Sequence, residues 1–502
     1  MKVVIIGGGV GGLATANLLA KQGHEVEVFE KNEQLGGRMG ILKKKGYTYD
    51  TGPSWYLMPE IFEHYFELLG HKTSDFYELV KLEPAYKVFY DYRDPIVISG
   101  RLTTDAATFE KIETGSGKAL RQYVTQAKMT YHLATDYFLY NPFKSVKSVT
   151  KRPVIANSPA LISGLLRPLH SYVAGRFTAK CLQQILEYPM VFLGTSPFAA
   201  PSLYQLMSYL DFEHGVYYPK KGMHAVTDAL VQAGKQLGVT HHINSPVQKI
   251  IIDNGQATGI QTKNGTALAD VVISNADLAF SETVLLDPEH QTYGKNYWKK
   301  RKAAPSALLL YLGVKGSLPE LEHHNLFFVE DWSKNFKDIF NTASWPKKAS
   351  MYVSKTSQTE AHVAPKGHEN LFVLVPLPPG VIPTTSQQKK LVNRYLEQLE
   401  QLSNIPNLCD RIDIVEVRGP GHFDTYFNSW QNSALGLNHT VMQSAFTRPA
   451  VKSKKVRNLY YVGAMTQPGI GVPMCLISAE LVVKQLANDT SAGPLKKLPG
   501  KP

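Results

Sequence analysis

Gly7-x-Gly9-x-x-Gly12 follows a β-branched run, Lys2 to Ile6, and precedes apolar residues at helical spacing, Leu13, Ala16, Leu18 and Leu19. Glycines in that order suit a phosphate-binding turn. The first lets the chain bend, the second admits a pyrophosphate, and the third lets helix and strand pack closely. Glu25 to Glu30 then alternates around Val26 and Val28 as a second strand. Glu30, at its end, is placed to accept hydrogen bonds from ribose hydroxyls and to disfavour a 2′-phosphate. The strand–turn–helix–strand unit therefore points to a dinucleotide. Val3 to Ala20 has the hydropathy of a leader peptide, but the glycines in its middle make a poor apolar helix and a good phosphate loop.

Leu35-Gly36-Gly37-Arg38 comes soon after Glu30, and Asp50-Thr51-Gly52-Pro53 closes the next hairpin. Here the chain resembles a large flavoprotein family that includes amine oxidases, protoporphyrinogen oxidase and carotenoid desaturases. The resemblance implies FAD, with Gly36, Gly37 and Arg38 along its pyrophosphate and ribityl chain and Gly52 among the contacts. An arginine beside a diphosphate is matched in charge and in hydrogen-bond geometry.

A later segment narrows the likeness. Leu459-Tyr-Tyr-Val-Gly463-Ala-Met-Thr-Gln-Pro468-Gly-Ile-Gly471-Val-Pro473 is similar to the closing signature of bacterial phytoene and 4,4'-diapophytoene desaturases. By that resemblance Gly463, Ala464, Gly471 and Val472 wrap the ribityl chain and the isoalloxazine edge, where amides at a helix start stabilise negative charge. The histidine usual between Thr and Pro is Gln467, a departure that leaves flavin binding intact and speaks against a proton-transfer role at that position. Val247 falls where a backbone contact to adenine is expected. Tyr217 to Met223, Ser433 to Leu437, Gln443 to Pro449, His323 to Asn325 and Gly194 to Pro197 resemble further stretches of the same group. Asp424 and His439, in the late motif region, are the candidate acid–base residues. The likeness implies an FAD-dependent oxidoreductase that desaturates phytoene or diapophytoene in carotenoid biosynthesis.

Other elements must hold these pieces together. Met223 to Leu237 has a helical apolar face, and about Thr240 to Ser274 is strand-rich, with hairpin turns at Asn254-Gly255 and Asn264-Gly265. Asn458 to Val462 reads as a strand leading through glycines into a helix from about Leu476 to Leu486. A chain of 502 residues exceeds a single ordinary core. The expected fold class is α/β: a Rossmann-like FAD domain from three segments, 1–95, 220–290 and 450–490. An inserted α+β substrate domain, with a helical membrane-facing region, takes 96–219 and 291–449, and 491–502 is a flexible tail.

Composition sets wider bounds. Hydrophobic residues at 43% and charged residues at 19% describe a globular chain rather than a disordered one. Cys181, Cys409 and Cys475 are far apart, so neither a disulfide framework nor a zinc site is implied, and a reducing cytoplasm is the simplest location. The net charge of +12 suits anionic lipid, nucleic acid or simple solubility, and does not by itself choose among them. The basic run Trp298 to Lys302 has no nucleic-acid fold around it, which excludes that partner. Phe138 to Lys147, with Lys151 and Arg152, mixes aromatics and cations as a lipid-surface face does, giving a peripherally membrane-associated protein.

The uncharged run Tyr188 to Leu210 contains Pro189, Pro197 and Pro201, which break the helix a bilayer requires. It reads instead as a wall for a long apolar ligand. An isoprenoid hydrocarbon offers no hydrogen-bonding handle, so its recognition rests on shape and apolar burial. The alternatives are a carotenoid oxidase or isomerase on the same frame, a flavin amine oxidase, and a non-catalytic isoprenoid carrier.

Overall fold

A computed structural model of the protein describes residues 1–143 and 151–500. Five parallel strands form the first layer, in the order Leu459–Tyr461, Val271–Ser274, β1 (Lys2–Ile6), β2 (Glu25–Phe29) and Thr240–His242. Between β1 and β2 runs α1 (Val10–Lys21), every residue of which except Lys21 is buried. It has no polar stripe because it lies between the sheet and two further helices, His224–Gln236 and Val472–Leu486. Parallel strands covered in this way read as continuous apolar runs, as Val3 to Ile6 and Val271 to Ile273 do.

Both expected hairpins form. The strands Val247–Asp253, Gln256–Thr262 and Gly265–Leu268 make an antiparallel sheet turning at Asn254-Gly255 and again at Asn264. Asn254 and Gly255 both have positive φ, 48° and 72°, which matches the right-handed twist of the flanking strands.

The second layer is a seven-stranded sheet. Its order is Ile412–Arg418, Ser306–Lys315, His368–Leu377, Met351–Ser354, His324–Phe328, Tyr86–Tyr90 and Ile96–Ile98. All neighbours pair antiparallel except His324–Phe328 with Tyr86–Tyr90. Tyr86–Tyr90 therefore belongs to the second sheet, so the first segment of the dinucleotide layer ends short of residue 95. The described residues between 102 and 214 are mainly helical, with Leu102–Ile112 and Ser116–Ala134 packed together.

The described part of the C-terminal tail, residues 491–500, is hydrogen-bonded to the body of the molecule. The Lys484 side chain has no solvent exposure. Its ammonium donates to the carbonyls of Tyr140, Ser491 and Gly493. Glu480 accepts from the Leu495 amide, and Gln22 donates to the carbonyl of Pro499. A buried ammonium needs acceptors, and the tail supplies two of the three.

Among the described residues no helix is long and apolar enough to cross a membrane. Tyr188–Leu210 folds as short turns, Tyr188–Val191 and Ser202–Leu206, rather than as a long helix. Lys144 to Lys147 of the proposed lipid face lie outside the described residues.

Candidate functional site

The loop after β1 and the start of α1 face a cavity of about 960 Å³. Gly7 has φ 94°, a conformation that favours glycine, and its amide donates to the carbonyl of Phe29. A Cβ on Gly12 would collide with the carbonyl oxygen of Gly7, so the third glycine is what lets α1 seat on the strand. Glu30 is almost fully buried. One of its oxygens accepts from the Gly8 amide at 2.8 Å and the other from the Asn32 amide at 2.9 Å. These bonds fix the carboxylate at the carboxyl end of β2, where open α/β sheets bind ligands.

Of the residues singled out from the sequence, Gly7, Gly9, Glu30, Gly36, Gly37, Arg38, Gly52, Val247, Gly463, Ala464, Gly471 and Val472 all line this cavity. Gly12 does not, as its packing role requires. Gly471 precedes the helix Val472–Leu486, whose first turn also lines the cavity through Pro473, Met474 and Cys475. Arg38 is buried. It donates to Ser429 Oγ at 2.7 Å and lies over the Phe427 ring, while its Nε has no partner among the described residues. Burial lowers its pKa, and the nearby Asp277 opposes that shift.

These features fit FAD. A guanidinium with an unspent donor, a glycine turn leading into a helix N-terminus, and a carboxylate at the end of β2 meet in one cavity. Residues not foreseen join them. Asn275 packs against Gly9, Gly11 and Gly463, and Asp277 caps the helix Leu278–Thr283 by accepting from Ala279 and Phe280 amides. Both follow the strand Val271–Ser274 next to β1, and that position is the signal that finds them. The stretch Arg418 to Asn428 also reaches the cavity, and nothing in its sequence marks it.

Beyond the glycine cradle the same cavity continues as an apolar gallery. Tyr188, Phe192, Leu206 and Leu210 form one side, and Leu326, Phe328, Met351, Tyr352 and Leu374 from the seven-stranded sheet form the other. Trp55 lies between them, stacked on His324 at 4.4 Å and 7°. The charged side chains lining the cavity, Glu30, Lys31, Arg38, Asp277 and Arg418, all lie among the cofactor-end segments.

The two candidate acid–base residues separate. Asp424 is exposed and does not line the cavity. His439 does line it, but both ring nitrogens are engaged. The Ile470 amide can only donate, so Nε2 accepts from it at 3.2 Å. Burial, reinforced by Arg448, lowers the His439 pKa well below its ordinary value, so the ring is neutral and Nδ1 carries the proton. That proton goes to Tyr204 Oη at 2.9 Å, and Tyr204 donates onward to Ser444 Oγ. With its lone pair held by an amide, His439 is a fixed link between the gallery wall and the loop before Gly471. Gln467 lines the cavity and donates to the carbonyl of Ala445.

Comparison with known proteins agrees with this geometry. The sequence profile of the flavin-containing amine oxidoreductases matches residues 10–487. A carotenoid 3,4-desaturase of Haloarcula japonica is 39% identical, over 97% of this chain and 98% of its own. A zeta-carotene-forming phytoene desaturase of Myxococcus xanthus is 33% identical, over 97% and 93%. An oxidoreductase of Methanosarcina mazei shares the fold, with a TM-score of 0.63 at 19% identity over 96% of this chain and all of that one. The chain belongs to the flavin-containing amine oxidoreductases, in their carotenoid desaturase branch, and is an FAD-dependent oxidoreductase.

Proposed function

We propose that the protein desaturates a linear apolar carotenoid precursor of the phytoene or diapophytoene type. The observation that carries this reading is the gallery, an aromatic and aliphatic passage continuous with the flavin cradle. A polyene hydrocarbon is held there by burial alone, at roughly 25 cal/mol per Å² removed from water. A cationic amine would find no carboxylate among the described gallery residues, which disfavours an amine substrate.

Bound FAD supplies the acceptor for a hydride. The chain's own part is placement. Trp55, Tyr188 and Phe192 form an aromatic cluster that confines the chain laterally, and dry walls exclude water from a cation spread along a conjugated chain. The cation acidifies the neighbouring C–H, so a weak acceptor such as water at the cavity mouth would take that proton, in keeping with the engaged state of His439. Gly7, Gly9, Glu30, Gly36, Gly37, Arg38, Gly52, Val247, Gly463, Ala464, Gly471 and Val472 are the cofactor-binding residues of this reading.

The reading includes peripheral membrane association on the cytoplasmic side. Cavity-lining Ile162 and Phe446 are 58% and 64% exposed, and Leu166 and Met442 nearby are 74% and 67% exposed. Lys151, Arg152 and Arg167 flank the helix Ser158–Leu166, which has no buried residue. Apolar tips with cations behind them suit an anionic bilayer, from which the substrate passes into the gallery.

Pigment analysis tests the function. In a bacterium making phytoene or diapophytoene, the gene is expected to yield polyenes absorbing at longer wavelength. FAD-loaded protein that leaves both precursors colourless overturns the desaturase reading. Sedimentation with anionic vesicles tests the surface. Leu166→Ser with Phe446→Ser is expected to weaken binding about tenfold, and unchanged binding sinks the assignment of this face.

A further inference from the structure

The helix Pro420–Phe427 comes from the substrate side of the molecule, directly after the edge strand Ile412–Arg418 of the seven-stranded sheet. It ends at Asn428, whose φ of 50° turns the chain sharply toward Trp430. This strap is tied down almost entirely to cradle residues. Lys31 donates to the carbonyl of Thr425 at 2.8 Å and to Asn428 Oδ1 at 3.0 Å. Asn32 Nδ2 donates to the carbonyl of Tyr426 at 3.2 Å. Arg38 donates to Ser429 Oγ, and the Trp430 amide donates to Asp277 Oδ2 at 3.1 Å.

The inner face of the strap meets the cavity. His422, Phe423, Tyr426, Phe427 and Asn428 line it beside Glu30, Lys31 and Arg38. The rings of His422 and Tyr426 stack at 4.8 Å and 20°, and Phe427 lies 5.3 Å beneath the Arg38 guanidinium. His422 Nε2 is buried without a partner among the described residues. Aromatic faces with one free polar nitrogen, placed over a carboxylate and a guanidinium, suit a ribose and its diphosphate.

We propose that this strap is the second wall of the cofactor site, with His422, Tyr426 and Phe427 covering the ribose–diphosphate part of FAD. The parallel-sheet domain supplies an open cradle, and the strap, joined to the other sheet, closes it. FAD is then retained by the docking of two sheets and leaves only when the strap lifts. The proposal rests on the chain being a flavoprotein and is independent of which polyene it takes.

The test uses the full-length FAD-loaded protein and follows release by the rise of free-flavin fluorescence after dilution. Tyr426→Ala and Lys31→Met are each expected to release FAD at least tenfold faster than the parent. Unchanged release in either variant, with helix content intact by circular dichroism, overturns the proposal. The unmutated chain gives a second readout should a variant fail to fold. Chymotrypsin is expected to cut at Tyr426 or Phe427 in protein stripped of FAD, and added FAD is expected to suppress that cut. Equal cutting with and without FAD also overturns it.

Discussion

A Cβ at Gly12 would collide with the carbonyl of Gly7, and one at Gly52 with the carbonyl of Arg38. Leu206 and Phe192, farther along the same cavity, are only partly buried, packed against the core on one side and lining the passage on the other. The cradle is made of backbone at close approach, where a side chain added at Gly12, Gly36 or Gly52 has to move a carbonyl. The gallery is made of side-chain bulk, where a group can shrink or rotate and leave the passage in place. One end of the cavity therefore demands particular residues, and the other demands volume and apolarity. The difference follows the ligands, since a diphosphate has directional oxygens to satisfy and a hydrocarbon has none.

The comparison breaks most readily at Gly12. Gly12→Ala is expected to cost about 1–3 kcal/mol by overpacking and to lower bound flavin at least tenfold, read as 450 nm absorbance per protein. A soluble, fully loaded Gly12→Ala protein would show that the cradle tolerates bulk as the gallery does. In the gallery, Leu206→Ala is expected to raise KM several-fold while flavin content stays at the parent value, a loss of roughly 1–2 kcal/mol of apolar contact. Leu206→Met, which keeps the volume, should change KM little. If Leu206→Ala lost flavin instead, the two ends would not be separable.

The smallest expected effect comes from the place where the gallery wall is not mere bulk. Tyr188 donates to the buried Asp211 at 2.8 Å, and Tyr86 donates to the same oxygen at 3.4 Å. Burial raises the Asp211 carboxyl from 3.8 to about 7. Between those values the folded protein holds a proton that the unfolded chain has lost, so this group makes stability fall as pH rises from about 4 to about 7. Asp211→Asn cannot titrate. Its melting temperature relative to the parent should climb across that window by a shift of order 2 °C, then level off above it. A difference independent of pH would show that Asp211 is ionised in the folded state throughout.

How much of this was legible in sequence varied with the kind of contact. Gly7, Gly9 and Glu30 were readable because a strand, a turn and a helix lie within thirty residues of one another and their spacing is local. The apolar character of Tyr188 to Leu210 was readable from its lack of charge, although its folding as short turns was not. Asp424 looked as plausible as His439 in the chain, yet one is at the surface and the other inside. The tail looked free because nothing near it in sequence announces the buried ammonium of Lys484.

By itself the amino-acid order determined the dinucleotide turn, the acid at the end of β2, the hairpins and the apolar runs. Each of these depends on residues close along the chain, whose preferred dihedrals and side-chain periods act before any packing. Only the tertiary structure decided that the strap from Pro420 to Phe427 lies against Lys31 and Asn32, far away in sequence. It also decided that His439 spends its lone pair on the Ile470 amide. Those pairings bring together segments remote in the chain, and their formation rests on how two sheets bury their faces against each other, which no local pattern encodes.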